Sequence, residues 1–159
     1  MSDREELERF REYLGLLGRL QLDDQLAGKV DVSGVVQTTM LEAYQNEAVW
    51  KSLNEEARST WLRRVFANNL LDEIRRFRAQ SRDVSREHSL DQAMENSASR
   101  INDFLQTQQS SPSQRAMRSE TAMRLATALG CLTLQQRQAI ELHHLQGLSL
   151  ADVGHVMNR

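Results

Sequence analysis

The sequence predicts an all-α protein made of two small helical domains joined by a polar linker. Leu, Ala, Arg, Glu and Gln dominate the chain, and these residues favour helices. Only one proline interrupts the 159 residues. Runs that alternate Val or Ile with polar residues, which are typical of strands, are absent from the sequence. We therefore expect domains over 1–80 and 112–159, with a flexible polar linker over 81–111.

The first domain is expected to begin with amphipathic helices. Apolar residues recur every three or four positions over Asp3–Leu22. Within this stretch, Gly15 and Gly18 either weaken the helix or allow another helix to approach closely. Asp31 or Ser33 is suited to cap the helix that follows.

A polar loop over 46–54 follows that helix and carries Trp50 and Lys51. The aromatic ring of Trp50 fits a lid that folds back onto the core. It also fits a platform on which an unpaired base stacks. The residues alone leave both interpretations open.

The stretch WLRRVFANNLLDEIRRFR at Trp61–Arg78 predicts a long helix with two different faces. The side expected to be buried carries Leu62, Val65, Phe66, Asn69, Leu70 and Phe77. The opposite side carries Arg64, Asn68, Leu71, Arg75 and Arg78. Arginines suit phosphates, and an Asn amide can pair with a base edge. The pattern indicates nucleic-acid binding, although a helix with a merely solvated basic face fits it as well.

The charge of the chain is unevenly distributed. The net charge of −2 excludes a uniformly basic protein that coats nucleic acid. Residues 1–56 contain twelve acids and six bases, whereas residues 58–82 contain seven arginines against Asp72 and Glu73. Such polarity can direct one face at DNA while the acidic part meets a protein.

The composition changes at 81–111, where the residues are polar and the apolar ones are too sparse for a core of their own. We expect a linker with one or two short helices there. Three helices are then expected in under fifty residues, and their capping signals lie at Ser111, Thr133 and Ser149. The tight connection at Gly147 between the last two is typical of the entry to a helix-turn-helix.

No residue pattern indicates an enzyme, a cofactor or a metal site. Cys131 is alone, so no disulfide framework is expected. The adjacent His143 and His144 point about 100° apart on a helix, which does not suit one shared ion. The sequence has no glycine-rich phosphate loop and no Ser/His/Asp arrangement. With no signal-peptide or membrane-spanning run, we expect a soluble cytoplasmic protein without membrane insertion.

Three segments of the chain resemble one protein family. They are DVSGVVQTTMLEAYQN at 31–46, WLRRVFANNLLDEIRRFRAQSRD at 61–83 and LTLQQRQAIELHHLQGLSLADVGHVMNR at 132–159. In this order, they are similar to segments of bacterial sigma factors of the extracytoplasmic-function (ECF) group in the sigma-70 family. Those segments dock the polymerase clamp, open and read the −10 element, and lead into the −35 reader. The resemblance covers nearly the whole chain.

The resemblance implies a function in transcription initiation: binding core RNA polymerase, recognising promoters and melting promoter DNA. It assigns 1–80 to sigma region 2 and 112–159 to an incomplete sigma region 4. An anti-sigma factor or another regulator is an implied partner. The implied polymerase-binding residues are Asp31, Val36, Gln37, Met40 and Tyr44. The implied DNA-binding residues are Trp50, Lys51, Arg64, Asn68, Arg75, Arg76 and Arg78.

Within this resemblance, Asn68 matches an Asn placed to contact a base flipped out of the −10 region. Extruding a base from duplex DNA costs a few kcal/mol. A protein that captures the extruded base offsets that cost and favours the open state without hydrolysing anything. The arginines would attract phosphates around the opened DNA but would supply little sequence information.

The chain departs from the family at three places, one of which is Gly154 in the middle of a helix, where the family usually has alanine. The family usually has acids on both sides of Gln37, where this chain has Gly34 and Thr38. The chain also stops at Arg159, before the second helix of a helix-turn-helix. We therefore expect truncation within the second domain, in the sequence or in the protein itself, and no ordinary −35 reading. Two alternatives stay open: a sigma-like interaction module that binds polymerase or an anti-sigma factor without initiating, and a helix-turn-helix regulator independent of polymerase.

Overall fold

The computed structural model describes residues 2–22, 24–77, 84–106 and 115–158. All regular structure within these residues is helical, which confirms the predicted all-α class. The elements in chain order are α1 (Asp3–Glu8), α2 (Arg11–Gln21), α3 (Asp24–Ala27), α4 (Val32–Gln45), α5 (Glu47–Ser52), α6 (Glu55–Phe77), α7 (Val84–Gln106), α8 (Arg115–Gly130), α9 (Leu134–Ile140), a π-helical turn (Glu141–Leu145) and α10 (Leu150–Val156).

Two helices, α1 and α2, occupy the stretch where the sequence predicts one. A capping box between Ser2 and Glu5 starts α1. The helix is interrupted before α2 at Phe10, whose ring is buried. On α2, Gly18 allows the close helix approach that the sequence suggested. A Cβ atom there would lie 2.8 Å from Cγ1 of Val32 and 2.9 Å from Cζ of Phe66.

Helix α2 lies at the centre of the fold. Its residues Leu14, Leu16 and Leu17 are fully buried, and it contacts α4, α6, α7 and α8. Burial of one such leucine side chain contributes about 1.5–3 kcal/mol. The start of α4 is fixed by Asp31, whose Oδ1 accepts a 3.0 Å hydrogen bond from the backbone N–H of Gly34. Helix α4 then packs along α6.

The structure differs from the sequence prediction at the expected linker. Within 81–111, the chain forms the long helix α7, whose Met94, Ala98 and Ile101 are buried. These apolar residues are too few to form a core alone, but they complete the core between α6 and α2. The Nε of Arg63 on α6 also donates a 2.9 Å hydrogen bond to Glu95 on α7. The remainder of the expected linker, 81–83 and 107–111, and the expected cap at Ser111 lie outside the described residues.

The C-terminal helices pack on the N-terminal ones. Helix α8 contacts α2 and α7, and its Ala122, Ala126 and Leu129 belong to the same hydrophobic core as Leu14. An ion pair of 2.7 Å joins Nη2 of Arg9 to Oε1 of Glu120 across this contact. The sequence predicted separate cores on either side of 81–111, whereas buried residues from both sides form one continuous cluster.

The last helices begin where the sequence predicted. Thr133 and Gln136 form a reciprocal capping box at α9, and the Ser149 side chain accepts a hydrogen bond from the N–H of Asp152 at α10. Between them the helix widens into the π-helical turn and ends at Gly147, whose φ of +76° favours glycine. In the part of the chain that the structure describes, no helix is long and apolar enough to cross a membrane.

Candidate nucleic-acid interface

Helix α6 is the rigid element that presents the basic face. The Oδ1 atom of Asn54 accepts a 2.8 Å hydrogen bond from the N–H of Ala57 at its start. Glutamates occupy its first turn and arginines its last turn, which is the arrangement that the helix dipole favours. At a rise of about 1.5 Å per residue, its 23 residues extend for roughly 34 Å.

The buried side of α6 largely follows the predicted face. Leu62, Phe66 and Leu70 are fully buried, which confirms three of the six predicted positions. Val65 and Asn69 are half-buried. The amide Nδ2 of Asn69 donates a 3.1 Å hydrogen bond to Oγ1 of Thr39 on α4, and this contact fixes the rotation of α6 about its axis. Phe77 is the exception, because its side chain remains 47% exposed.

Arg64 and Asn68 form the centre of the opposite side. Both are exposed, and they lie one helical turn apart, about 6 Å along the axis. Neither side chain forms a hydrogen bond or ion pair within the described ranges. A guanidinium and an amide in this arrangement can bind a phosphate and a base edge at the same time.

The arginines at the end of α6 lie in the same helix but are engaged in exposed ion pairs. Arg75 pairs with Asp72 at 3.4 Å, and Arg76 pairs with Glu73 at 3.2 Å. Exposed pairs of this spacing contribute little to stability, so phosphates can replace the carboxylates at small cost. Arg78, the last predicted arginine, lies outside the described residues.

Two other arginines of the basic segment stabilise the fold. Arg58 forms a 2.7 Å ion pair with Glu6, and Arg63 pairs with Glu95 at 2.9 Å. Their side chains are only 17% and 14% exposed. The arginine-rich composition of 58–82 therefore overstates the positive charge that α6 presents to solvent.

Trp50 does not offer a stacking platform in this structure. Its ring is 2% exposed, and it packs edge-on against Phe10 at a centroid distance of 5.8 Å and beside Trp61 at 6.2 Å. The assignment of Trp50 to DNA contact is corrected for this conformation, because a buried ring cannot stack on a base. The alternative of a lid folded onto the core agrees with the structure.

Lys51, in contrast, remains at the surface. Its Nζ lies 2.9 Å from Glu47 and 3.7 Å from Asp3. The hydrogen bond with Glu47 raises the pKa of the Lys51 ammonium. Lys51 can reach a phosphate only by exchanging these carboxylates for it.

Helix α4 divides the predicted polymerase-binding residues into two groups. Val36 and Met40 are 3% and 1% exposed and belong to the core, so they cannot touch a partner directly. Their assignment, which the family resemblance implied, is corrected: both side chains lie on the buried side of the helix. Asp31 and Gln37 are exposed, and Gln37 accepts a 3.0 Å hydrogen bond from Nη1 of Arg11.

Tyr44 belongs to a polar network on the same surface as Gln37. Its hydroxyl donates a 2.8 Å hydrogen bond to Oε1 of Glu8, and Glu8 also pairs with Arg11 at 3.0 Å. The hydrogen bonds from Arg11 and then Tyr44 hold the pKa of Glu8 below its ordinary value. Burial and then the bond to Glu8 raise the pKa of Tyr44. Glu8, Arg11, Gln37 and Tyr44 thus form a connected polar surface across α1, α2 and α4.

Leu41 is a further candidate residue on this surface, and the sequence prediction did not include it. Its side chain is 56% exposed, one turn after Gln37 on α4. An apolar side chain presented next to a polar network is typical of a protein-binding surface. Adjacent positions of α4 can both be buried, as Val35 and Val36 are, so the place of Leu41 after Met40 gave no signal of its exposure.

His143 and His144 take part in internal contacts. Nδ1 of His143 lies 2.7 Å from the carbonyl oxygen of Leu148, and the ring of His144 packs against Phe104 at 5.5 Å. Among the described residues, no group of three or more His, Cys, Asp or Glu side chains is placed to hold a metal ion.

No protein-family model, curated protein or solved structure matches this chain. The functional inference therefore rests on two surfaces. One is the side of α6 that carries Arg64 and Asn68, and the other is the side of α4 that carries Gln37 and Leu41.

Proposed function

We propose that this chain is a sigma factor of the ECF type, which binds core RNA polymerase, recognises promoters and opens DNA to initiate transcription. In this proposal, the chain acts in the cytoplasm, where an anti-sigma factor or another regulator controls it. It performs no enzymatic reaction of its own. Its contribution is binding energy that favours the opened form of the promoter.

The observation that carries the proposal is the exposed pair Arg64 and Asn68 on α6. Most surface arginines and amides either project from flexible positions or pair with neighbours. These two lie on a helix that is held in place by Leu62, Phe66 and Leu70. An exposed amide one turn from an exposed guanidinium suits the capture of an extruded base next to its phosphate. Farther along α6, Arg75 and Arg76 can add phosphate contacts by exchanging Asp72 and Glu73 for phosphates.

The surface of α4 supports the second half of the proposal, polymerase binding. Gln37 and Leu41 are exposed on one side of α4, and Asp31 is exposed at its start. Sigma factors must hold the polymerase and the opened DNA at once, so two separate surfaces are needed. Helices α4 and α6 pack directly together, and the Asn69–Thr39 hydrogen bond joins them. The two surfaces therefore lie on helices that are in direct contact with each other.

We further propose that residues 1–80 act as sigma region 2 and residues 112–159 as part of sigma region 4. Helix α7 would then connect the two regions. Because α7 and α8 pack on α2, a separation of the regions on the polymerase would expose Met94, Ile101 and Leu129. Polymerase surfaces would have to cover these side chains in the complex.

The experiment that tests the proposal is transcription with purified components. Bacterial core RNA polymerase is incubated with the chain and a pool of genomic DNA fragments, and the 5′ ends of the transcripts are sequenced. The proposal predicts start sites that appear only with the chain and share a short upstream sequence. An absence of chain-dependent start sites, with polymerase binding intact, would contradict initiation.

A second candidate function is a sigma-like interaction module that binds polymerase or an anti-sigma factor without initiating. The observation that favours it is the burial of Trp50, which removes one of the expected DNA contacts. The same experiment separates the candidates. An interaction module would lower transcription by another sigma factor and add no start site.

A further inference from the structure

A mixed polar and apolar cavity lies between α2 and the C-terminal helices. Its volume is about 600 Å³, which is within the range of small-molecule sites. Arg19 of α2 lines one side, and Arg137 of α9 and Glu141 of the π-helical turn line the other. Apolar residues complete the walls, among them Leu142, Leu148 and Val156. No surface assigned to DNA or polymerase above takes part in this cavity.

The charges around the cavity are unequal. Arg19 donates hydrogen bonds of 2.9 and 3.3 Å to Oε1 of Glu141, and the Glu141 side chain is only 8% exposed. Arg137 lies farther away, with its Nε 3.8 Å from the same oxygen. Two guanidiniums therefore face one carboxylate, which leaves one positive charge at the cavity wall.

Arg137 lines the cavity, and its side chain is 22% exposed. Its Nε is buried, has no hydrogen-bond partner within the part of the chain that the structure describes, and is closed to a ligand in the cavity. A ligand acceptor would therefore bind the accessible part of the Arg137 side chain, where a hydrogen bond from a charged donor is stronger than one from a neutral donor. A monoanion also neutralises the excess charge, whereas a dianion would be repelled by Glu141.

The apolar walls define the rest of the ligand. Leu142 and Leu148 are half-buried, and Val156 is 45% exposed at the rim. Among the described residues that line the cavity there is no aromatic ring on which a base or another planar group could stack. An aliphatic chain is the group that such walls bind best.

We propose that this cavity binds a small amphipathic monoanion, an aliphatic carboxylate, with its carboxylate on Arg137 and its chain against Leu142, Leu148 and Val156. Because α2 forms one wall and the C-terminal helices form the other, the bound ligand holds them together. Binding therefore stabilises the packed arrangement of the chain. This site does not depend on the proposed function in transcription.

The test uses decanoate as the probe, below its micelle concentration, with the full chain and isothermal titration calorimetry. The wild-type chain is expected to bind one decanoate, and Arg137→Gln is expected to weaken binding roughly ten- to a hundredfold, the loss of one charge-assisted hydrogen bond. Arg100→Gln, an exposed arginine on α7 away from the cavity, is the matched control and is expected to bind as the wild type does. Decanol and inorganic phosphate, which each carry one half of the ligand, are expected to bind at least about tenfold more weakly.

A second variant keeps the test decisive if Arg137→Gln does not fold. Val156→Trp fills the cavity from its exposed rim and leaves Arg19, Arg137 and Glu141 in place, and it is expected to abolish decanoate binding. The proposal is overturned if the wild-type chain shows no saturable binding, or if Val156→Trp binds as tightly as the wild type. Affinity for decanol or for phosphate equal to that for decanoate would also overturn it. The site would then not bind both the carboxylate and the aliphatic chain of the ligand.

Discussion

The guanidinium of Arg58 lies 5.1 Å from the ring centroid of Trp50, and its Nε donates a 2.9 Å hydrogen bond to the Trp50 carbonyl oxygen. Arg58 also pairs with Glu6, so one side chain joins α1, α5 and α6. This contact explains why a tryptophan and an arginine from the DNA-like part of the sequence are absent from the candidate DNA surface. They form a cation–π pair inside the fold, where the exclusion of water strengthens such a pair.

The role of α7 in the core can be tested by truncating Ile101. We expect Ile101→Ala to lower the free energy of unfolding by about 2–5 kcal/mol, because the fully buried side chain leaves a cavity between helices. Urea denaturation followed by circular dichroism measures the change. Leu150→Ala, at a leucine that is 73% exposed, is the control and should change stability by less than about 0.5 kcal/mol. Equal effects of the two substitutions would mean that α7 does not belong to the core.

The close approach at Gly18 predicts opposite effects for two glycines of α2. Gly18→Ala should destabilise the protein by about 1–3 kcal/mol, because the new Cβ would press on Val32 and Phe66. Gly15→Ala should stabilise it by about 0.5–1 kcal/mol, because the nearest atom to its Cβ is the end of the Arg19 side chain at 3.4 Å. Thermal unfolding of both variants gives the comparison. A stabilising Gly18→Ala would show that the helices are farther apart than described.

The polar network around Glu8 predicts a pH dependence of stability. Its folded-state pKa is lowered, chiefly by Arg11, so its stabilising contribution is present above the unfolded-state value and is lost as the pH falls through the folded value. Glu8→Gln should therefore be less stable than the wild type at pH 7, and the difference should shrink below about pH 4.5. Urea titrations between pH 3 and pH 7 measure this. Asp103→Asn, at an exposed carboxylate, is the control; a difference for Glu8→Gln that is the same at every pH would contradict the network.

The surface of α4 predicts which substitutions weaken polymerase binding. Gln37→Ala combined with Leu41→Lys should reduce capture of core RNA polymerase roughly tenfold, because the pair removes a polar contact and an exposed apolar one. Leu150→Lys places the same charge on an exposed leucine elsewhere and should leave capture unchanged. Met40→Ala should instead lower stability, since Met40 is buried. Undiminished capture by the double variant would remove α4 from the docking surface.

Residue pattern alone predicted the helical class and the starts of α4, α9 and α10. Capping residues act through hydrogen bonds to N–H groups two or three positions away, so Asp31, Thr133 and Ser149 can be identified from a few neighbours. The buried side of α6 was likewise visible in the spacing of Leu62, Phe66 and Leu70. Such local signals do not show how far neighbouring helices extend. The spacing of Phe77 at the end of α6 matches the buried side, but its side chain is exposed.

The candidate site was harder to predict, because the exposure of each side chain depends on contacts with residues far away in the sequence. Arg58 and Arg63 are basic in composition, but Glu6 and Glu95 neutralise them from other helices. The sparse apolar residues of α7 suggested a linker. Periodicity within one segment cannot show that the other helices leave apolar surface uncovered, which α7 then covers. The family resemblance assigned Val36 and Met40 to the polymerase, and residue pattern does not show whether the chain itself or another protein covers an apolar side chain.

The proposed role of Asn68 in DNA opening is tested most directly by permanganate reactivity of thymines at a chain-dependent promoter. We expect Asn68→Ala to lower this reactivity by roughly tenfold at unchanged polymerase capture, since one base contact of this kind is worth about 1–3 kcal/mol. Asn102→Ala on α7, away from the basic face, should open the promoter as the wild type does. Full permanganate reactivity with Asn68→Ala would contradict the account, because the exposed amide on α6 would then contribute nothing to the opened state.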